Sequence, residues 1–109
     1  MAFDEKLAAR LRDALAGTDG VTEKAMFGGK AFLFDGNMLV GVIKNDLVAR
    51  VGPERFEAAV ARNGVRTFDF SGWPMSGWVM VAPDGCQTEA SLRAWIEEAL
   101  EYVQTLPKK

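Results

Sequence analysis

Histidine is absent from this chain of 109 residues, and cysteine occurs once, at Cys86. Without histidine, the chain can form no Ser-His or Cys-His nucleophile pair and no imidazole metal site. A single cysteine excludes internal disulfides and thiolate zinc sites, and it is typical of proteins in a reducing compartment. We interpret Cys86 as a turn residue beside Gly85, with a reactive thiol as the alternative. No metal or cofactor is predicted.

Long apolar runs and an excess of basic charge are also missing. No stretch approaches the roughly 18 apolar residues of a membrane span, and the first seven residues lack the basic and apolar regions of a signal peptide. We therefore expect a cytoplasmic protein without a membrane segment. The 13 Lys and Arg residues are scattered and are outnumbered by 15 Asp and Glu residues. This balance argues against nucleic acid as a partner, because phosphate binding needs a basic face.

Length and composition are those of one globular domain. A chain of 109 residues with 49% hydrophobic and 26% charged residues can bury a core without disulfides or metals. No repeat, low-complexity segment or linker divides the sequence. Residues 1–109 are therefore predicted to form a single domain.

Three amphipathic segments predict helices. Apolar residues recur every fourth position over Phe3–Leu15, which predicts a first helix that ends in a left-handed residue at Gly17. Pro53, followed by acidic residues, is typical of the start of a second helix. Apolar residues at offsets 0, 3, 4, 7, 11 and 14 from Leu92 form one face of a third helix, with Thr88 as its N-cap.

Short branched and aromatic runs between the helices predict strands. The runs "AFLF", "MLVGVI" and "LVARV" are separated by Asp-Gly-Asn and Lys-Asn-Asp, which are turn sequences. They predict a three-stranded antiparallel meander whose first strand begins near Glu23 and continues into Ala31. Two more strands are predicted at 66–70 and 77–81. The predicted fold class is α+β, a two-layer α/β sandwich in the order α-β(3)-α-β(2)-α with a mainly antiparallel sheet.

The stretch Gly28-Gly29-Lys30 has two interpretations. Glycine-rich loops that end in lysine can bind phosphate, but a P-loop also needs a longer spacing, a following Ser or Thr, and a helix. Here Ala31 follows, and the next residues are typical of a strand. We therefore interpret the two glycines as a bulge or a very short reversal of the strand.

The segment "GWPMSGWV" and Arg50 are the best candidates for a binding surface. Trp73 and Trp78 could flank a small-molecule or peptide groove together with Met75, or they could cap the core. Arg50 alternates with apolar neighbours on its strand, so it could bind an anion or acidic partner, or it could be an ordinary solvated residue. The residues predicted for the interaction surface are Lys30, Arg50, Trp73, Pro74 and Met75.

The acidic residues of the last helix do not suggest catalysis. Glu97 and Glu98 are adjacent and point in different directions on a helix, so they cannot act together on one group. We interpret them, with Glu101, as a solvated face. Leu100 and Tyr102 lie at the margins of the apolar face of this helix, where they could pair two copies of the chain or simply border the core.

Four motifs together resemble the N-terminal domain of the TfoX/Sxy competence-regulator family. They are "MFGGKAF…GNMLVGV", "LVARVGP", "GWPMSGWVMV" and a final amphipathic helix that ends in "LPK". The resemblance extends from about Leu7 to Lys108 and implies the fold given above, with no catalytic residues. The positions that it implies to be structural are Met26, Phe27, Gly28, Gly29, Gly52, Pro53, Pro74, Met75, Gly77 and Trp78.

The resemblance also implies a role in regulation. Two-domain members carry a further helical domain and regulate natural transformation, whereas this sequence stops after the first module, so a stand-alone domain is expected. The leading hypothesis is a non-catalytic regulatory or adaptor module that contacts an unidentified protein partner, with homodimerisation open. One alternative is a small-ligand binder or unrecognised enzyme with a Trp/Met-lined pocket. A further alternative is direct DNA binding.

Overall fold

In the computed structural model of the protein, the described residues form a six-stranded antiparallel sheet and three α-helices. The structure describes residues 3–26, 28–70 and 73–108, with the backbone only at 69, 70 and 73–76. In chain order the elements are α1 (Glu5–Ala14), β1 (Val21–Met26), β2 (Gly29–Phe34), β3 (Asn37–Ile43), β4 (Asp46–Arg50), α2 (Pro53–Val60), β5 (Val65–Phe70), β6 (Trp73–Val81), a 3₁₀ turn (Pro83–Cys86) and α3 (Glu89–Val103).

The sheet has the strand order β1-β2-β3-β4-β6-β5, and every neighbouring pair is antiparallel. One face carries the main core, in which apolar residues of α1, α2 and α3 pack against the strands. Five of the six predicted apolar positions of α3 are buried there, whereas Leu106 is half-buried and follows the end of the helix. The buried five are Leu92, Trp95, Ile96, Ala99 and Val103. The α+β class, the two layers and the antiparallel sheet are therefore confirmed.

The opposite face of the sheet carries a second apolar cluster made of strand residues alone. We call it the helix-free face, because no helix residue described by the structure belongs to it. Its members are the buried Ala31, Met38, Val48 and Phe68 and the half-buried Met26, Leu33, Ile43, Trp78 and Met80.

The predicted three-stranded meander is wrong in its strand count, because four strands precede α2. The segment predicted as one strand from Glu23 to Ala31 is the hairpin of β1 and β2, which reverses between Met26 and Gly29. Gly28 has φ +76°, and a side chain at Gly29 would overlap the carbonyl oxygen of Val42. The very short reversal proposed for these glycines is therefore confirmed, while Phe27 lies outside the described residues.

Side chains cap the starts of α1 and α3. The Asp4 carboxylate accepts hydrogen bonds from the first turn of α1, and Thr88, the predicted N-cap, forms a reciprocal capping box with Ser91 at the start of α3. The prediction for Gly17 is wrong, since α1 ends at Ala14 and Gly17 lacks a positive φ. The left-handed residue is Gly20, at φ +89°, where the chain turns into β1.

The strands near the predicted binding segment are longer than expected. β5 begins at Val65, and β6 already begins at Trp73, so most of "SGWPMSG" belongs to a strand rather than to a loop. In the hairpin, Trp73 lies opposite Phe70 and Pro74 lies opposite Asp69. The side chains of Trp73, Pro74 and Met75 lie outside the described residues, so their predicted role remains a prediction.

Candidate functional site

Arg50 is the last residue of β4 and lies on the helix-free side of the sheet. It lies two residues after Val48, a member of the helix-free face, so the two side chains share a face of the strand, and it is paired with Trp78 of β6. Its guanidinium carbon lies 4.8 Å from the centroid of the Trp78 ring and 5.7 Å from that of Tyr102 in α3. Both distances are within the range of cation–π attraction. Two aromatic rings therefore hold the Arg50 head group at the end of the sheet.

Two glycines allow Tyr102 to reach this position. Gly52 and Gly77 have φ values of +90° and +91°, which side-chain-bearing residues rarely adopt. A Cβ at Gly52 would overlap the Tyr102 ring, and one at Gly77 would lie 3.1 Å from the carbonyl carbon of Gly52. The Gly77 carbonyl accepts hydrogen bonds from the amides of Val51 and Gly52. The glycines in "VGP" and "SGW" therefore bring strand ends and helix together.

A cleft of about 50 Å³ lies among these residues. It is lined by Arg50, Gly52, Pro53, Gly77, Trp78 and Tyr102. A larger cleft of about 280 Å³ shares Pro53 and Tyr102 with it and is also lined by Glu54 and Glu101. We call the smaller one the Arg50 cleft. Its size suits a single polar group, because one water molecule takes up about 30 Å³ in the liquid.

Three hydrogen-bond donors line the Arg50 cleft without an acceptor. Within the described residues, neither the Arg50 guanidinium, the Trp78 indole N–H nor the Tyr102 hydroxyl makes a hydrogen bond, and no donor there is both unpartnered and sealed from solvent. These donors can therefore bind an acceptor that enters the cleft. An anion with two acceptor oxygens would match the planar fork of the guanidinium best.

Arg50 differs in this respect from the other arginines of the structure. Each of the others donates to, or is paired with, an oxygen of the described chain: Arg10, Arg12, Arg55, Arg62, Arg66 and Arg93. In the part of the chain that the structure describes, Arg50 has aromatic contacts and no oxygen acceptor.

Lys30 is not part of this site. On β2 it lies two residues before Phe32, a residue of the main core. The two side chains therefore share a face, and Lys30 lies on the helix side of the sheet. Its Nζ atom is 3.8 Å from a carboxylate oxygen of Glu23, which also accepts two hydrogen bonds from Arg12 of α1. These bonds and the positive charges of Arg12 and Lys30 lower the pKa of Glu23. The structure therefore places Lys30 and Arg50 on opposite faces.

Two other residues considered in the sequence, Cys86 and Glu98, make contacts within the fold. Cys86 is buried in the 3₁₀ turn, and its thiol donates a weak hydrogen bond to the Ala82 carbonyl oxygen. Burial raises the pKa of the Cys86 thiol. A thiol with a raised pKa is a poor nucleophile, which agrees with the turn interpretation. Glu98 is an exception to the predicted solvated face, because its side chain is 15% exposed and pairs with Arg62, which follows α2. The described residues contain no cluster of three or more potential metal ligands.

The sequence pointed to only part of the Arg50 cleft. It singled out Arg50 as a possible anion ligand, Trp78 as a possible groove residue, and Gly52, Pro53 and Gly77 as structural positions. It missed the role of Tyr102, which the sequence places at the margin of the helix face. The one available signal was the pair of glycines, since glycine often occurs where another group approaches the backbone closely.

Comparison with known proteins identifies one family. Residues 13–103 match the TfoX N-terminal domain. No curated protein and no solved structure shows a significant match to the chain. Among the described helices, none combines the length and the apolar character that crossing a membrane requires.

Proposed function

Because the chain belongs to the TfoX N-terminal domain family, we propose that it is a non-catalytic regulatory or adaptor domain that acts by protein–protein contact. The proposal assigns the contact to the helix-free face and to the Arg50 cleft at its end. Transcription or competence regulation is the process that the family name suggests. The partner is a protein that presents an apolar surface to the sheet.

The helix-free face is the observation that carries this proposal. Its half-buried members, Met26, Leu33, Ile43, Trp78 and Met80, surround four buried apolar residues of the same face. Apolar side chains that remain half-exposed together in one patch are typical of interaction sites. Methionine and tryptophan are also among the residues that are enriched in protein interfaces. A sheet with helices on one side can therefore use its other side for binding.

The sizes of the clefts favour contact with a protein over binding of a drug-sized ligand or cofactor. The clefts described have volumes of about 280, 250, 190 and 50 Å³. Sites for drug-sized ligands and cofactors typically occupy about 300–1,000 Å³. An extended protein surface does not need a deep pocket, because many shallow contacts contribute together.

Quantitative affinity capture with matched variants tests the proposal. Met80→Glu places a charge on the helix-free face, and Asn63→Glu places the same charge on the exposed loop after α2. We expect one stoichiometric partner to be captured by wild type and by Asn63→Glu and to be lost from Met80→Glu. Trp73→Ala and Arg50→Glu test the rest of the predicted surface in the same assay.

Folding must be checked before the capture result is interpreted. All variants should give the wild-type circular dichroism spectrum and a cooperative unfolding transition. Capture of the same partner by wild type and Met80→Glu in equal amounts would contradict the assignment of the contact to this face. Absence of any stoichiometric partner under reducing and near-physiological conditions would contradict the adaptor proposal itself.

A further inference from the structure

We propose that the Arg50 cleft binds a carboxylate carried by an acidic residue of the protein partner. This inference rests on the proposed function, because it names the chemistry by which the partner is recognised. It adds a polar, directional contact to the apolar helix-free face. Nothing in the family match assigns a ligand to these residues.

The second arginine–tryptophan pair of the protein shows what is missing at Arg50. Arg62 lies 4.6 Å from the centroid of Trp95, and its two terminal nitrogens donate to the two oxygens of Glu98, each at 3.1 Å. Arg50 lies at nearly the same distance from Trp78, but no described oxygen accepts from it. A carboxylate in the Arg50 cleft would complete the same arrangement.

The fixed orientation of Arg50 favours a ligand with two oxygens. The guanidinium carbon lies 4.8 and 5.7 Å from the centroids of the Trp78 and Tyr102 rings, and the N–H groups of Arg50 make no described hydrogen bond. A carboxylate can accept two parallel bonds from these N–H groups, and such charge-assisted bonds are among the strongest in proteins. Because the aromatic rings already restrict the arginine, less conformational entropy is lost on binding.

Neighbouring charges favour a monoanion over phosphate. Glu54, Arg55 and Glu101 line the larger cleft, which shares Pro53 and Tyr102 with the Arg50 cleft, and Arg55 is paired with Glu101. The remaining negative charge of Glu54 would repel a doubly charged group more strongly than a singly charged one. The volume of about 50 Å³ also suits a carboxylate head group attached to a chain that leaves the cleft.

The position of Trp78 favours a protein as the source of the carboxylate. Trp78 lines the Arg50 cleft and also belongs to the helix-free face. An acidic side chain that reaches Arg50 therefore brings its flanking residues next to half-buried apolar side chains. A glutamate between apolar neighbours would use both surfaces, whereas a small free acid would use only the cleft.

Peptide titration of the ¹⁵N-labelled full-length protein tests this proposal. The probes are acetyl-Leu-Glu-Leu-amide, its glutamine counterpart, and sodium acetate, all at about 0.15 M constant ionic strength. The signals are the Arg50 Nε–H and Trp78 Nε1–H resonances. We expect saturable shifts with the glutamate peptide, a Kd at least tenfold higher for the glutamine peptide, and a Kd at least tenfold higher for acetate.

Arginine variants separate ligand binding from a structural role. Arg50→Met should retain the fold and raise the Kd of the glutamate peptide at least tenfold, read from the Trp78 resonance. The Kd of the glutamate peptide for Arg50→Lys should fall between those for wild type and Arg50→Met, because lysine retains the charge and loses the planar fork. Arg62→Met is the matched control, since it disrupts the completed arginine–tryptophan pair and should leave peptide affinity unchanged.

Three outcomes would overturn the proposal. No saturable shift with any probe would show that the cleft binds no carboxylate. Equal affinity for acetate and the glutamate peptide would show that the site takes free carboxylates rather than a protein residue. Equal affinities of wild type and Arg50→Met would remove Arg50 from the site.

The capture experiment distinguishes failure of this proposal from failure of the proposed function. A partner retained by Arg50→Met but lost from Met80→Glu would leave the adaptor function intact and overturn the carboxylate contact. Specific binding of the glutamate peptide without any captured partner would support the cleft chemistry and contradict the adaptor function.

Discussion

Arg62 with Trp95 and Arg50 with Trp78 are two arginine–tryptophan pairs of nearly equal geometry, at 4.6 and 4.8 Å from ring centroid to guanidinium carbon. At the first pair, Glu98 accepts two hydrogen bonds from Arg62, and the Trp95 indole donates to the Gly85 carbonyl at 3.1 Å. At the second pair, the described residues supply no acceptor for either side chain.

The difference between the pairs follows from their places in the fold. Trp95 is 5% exposed in the main core, where an unpaired indole N–H would be costly, and the Gly85 carbonyl accepts from it. Arg62 itself is exposed, and its acceptor is the 15%-exposed side chain of Glu98. Trp78 is half-buried on the helix-free face, where water can hydrate its indole N–H and the Arg50 guanidinium in the absence of a ligand. The first pair is therefore structural, and the second has the properties of a binding site.

Replacement of the two tryptophans should produce the largest difference between the regions. Trp95→Ala removes a buried ring from the main core and should lower the free energy of unfolding by about 3–5 kcal/mol. Trp78→Ala should cost about half as much, because its ring is already partly in contact with water. Denaturant unfolding followed by circular dichroism measures both. Equal losses would contradict the distinction between core and binding surface.

The glycine that admits Tyr102 should give the next largest effect. Gly52→Ala introduces a side chain at φ +90° that overlaps the Tyr102 ring, so we expect a loss of about 2–3 kcal/mol. Gly17→Ala is the control, because no atom lies within 4 Å of the added Cβ and its φ is not positive. A Gly52→Ala protein as stable as Gly17→Ala would show that Tyr102 does not pack against this turn.

The helices were predictable because each buries one face, and burial of one face leaves a 3.6-residue period in the sequence. The hairpin of β1 and β2 was not, since β1 is an edge strand whose residues from Thr22 to Ala25 are exposed and show no alternation. Without that signal, Gly28 and Gly29 read as a break within one strand. The strand count was therefore wrong while the fold class was right.

The candidate site was only partly predictable for a related reason. Arg50, Gly52 and Pro53 are close in sequence, so their shared position at the end of a strand could be expected. Tyr102 reaches them from the last helix, and such a long-range contact leaves no periodic signal in the sequence. The position of Lys30 on the opposite face depends on the register of β2, which the missed hairpin had left undefined.

Methionine substitutions of the two arginines should change the free energy of unfolding by different amounts, and this difference should be smaller than that between the two tryptophan variants. Arg62→Met leaves the 15%-exposed Glu98 without its partner and should lower the unfolding free energy by about 1 kcal/mol. Arg50→Met removes no oxygen contact and retains an apolar stem against both rings, so the change should stay within about 0.5 kcal/mol. A larger loss at Arg50 than at Arg62 would make Arg50 a structural residue.

Acid sensitivity should give the smallest effect. Hydrogen bonds from Arg12 lower the pKa of Glu23 in the folded state, so this carboxylate stabilises the fold above its unfolded pKa of about 4.3. The contribution is lost as the pH falls through the lower folded pKa. Between pH 7 and pH 3, the free energy of unfolding should fall more steeply for wild type than for Arg12→Gln. Parallel profiles would contradict this pairing.

The most direct test of the central claim is the rotation of the two guanidinium groups in the free protein, measured by ¹⁵N NMR exchange spectroscopy on assigned arginine signals. The structure predicts slower rotation about the Nε–Cζ bond of Arg62, whose two terminal nitrogens donate to Glu98, than about that of Arg50, which has aromatic contacts and no described acceptor. Addition of the glutamate peptide should slow Arg50 alone. Equally slow rotation of both groups before any ligand is added would contradict the claim, because Arg50 would then already have its acceptor.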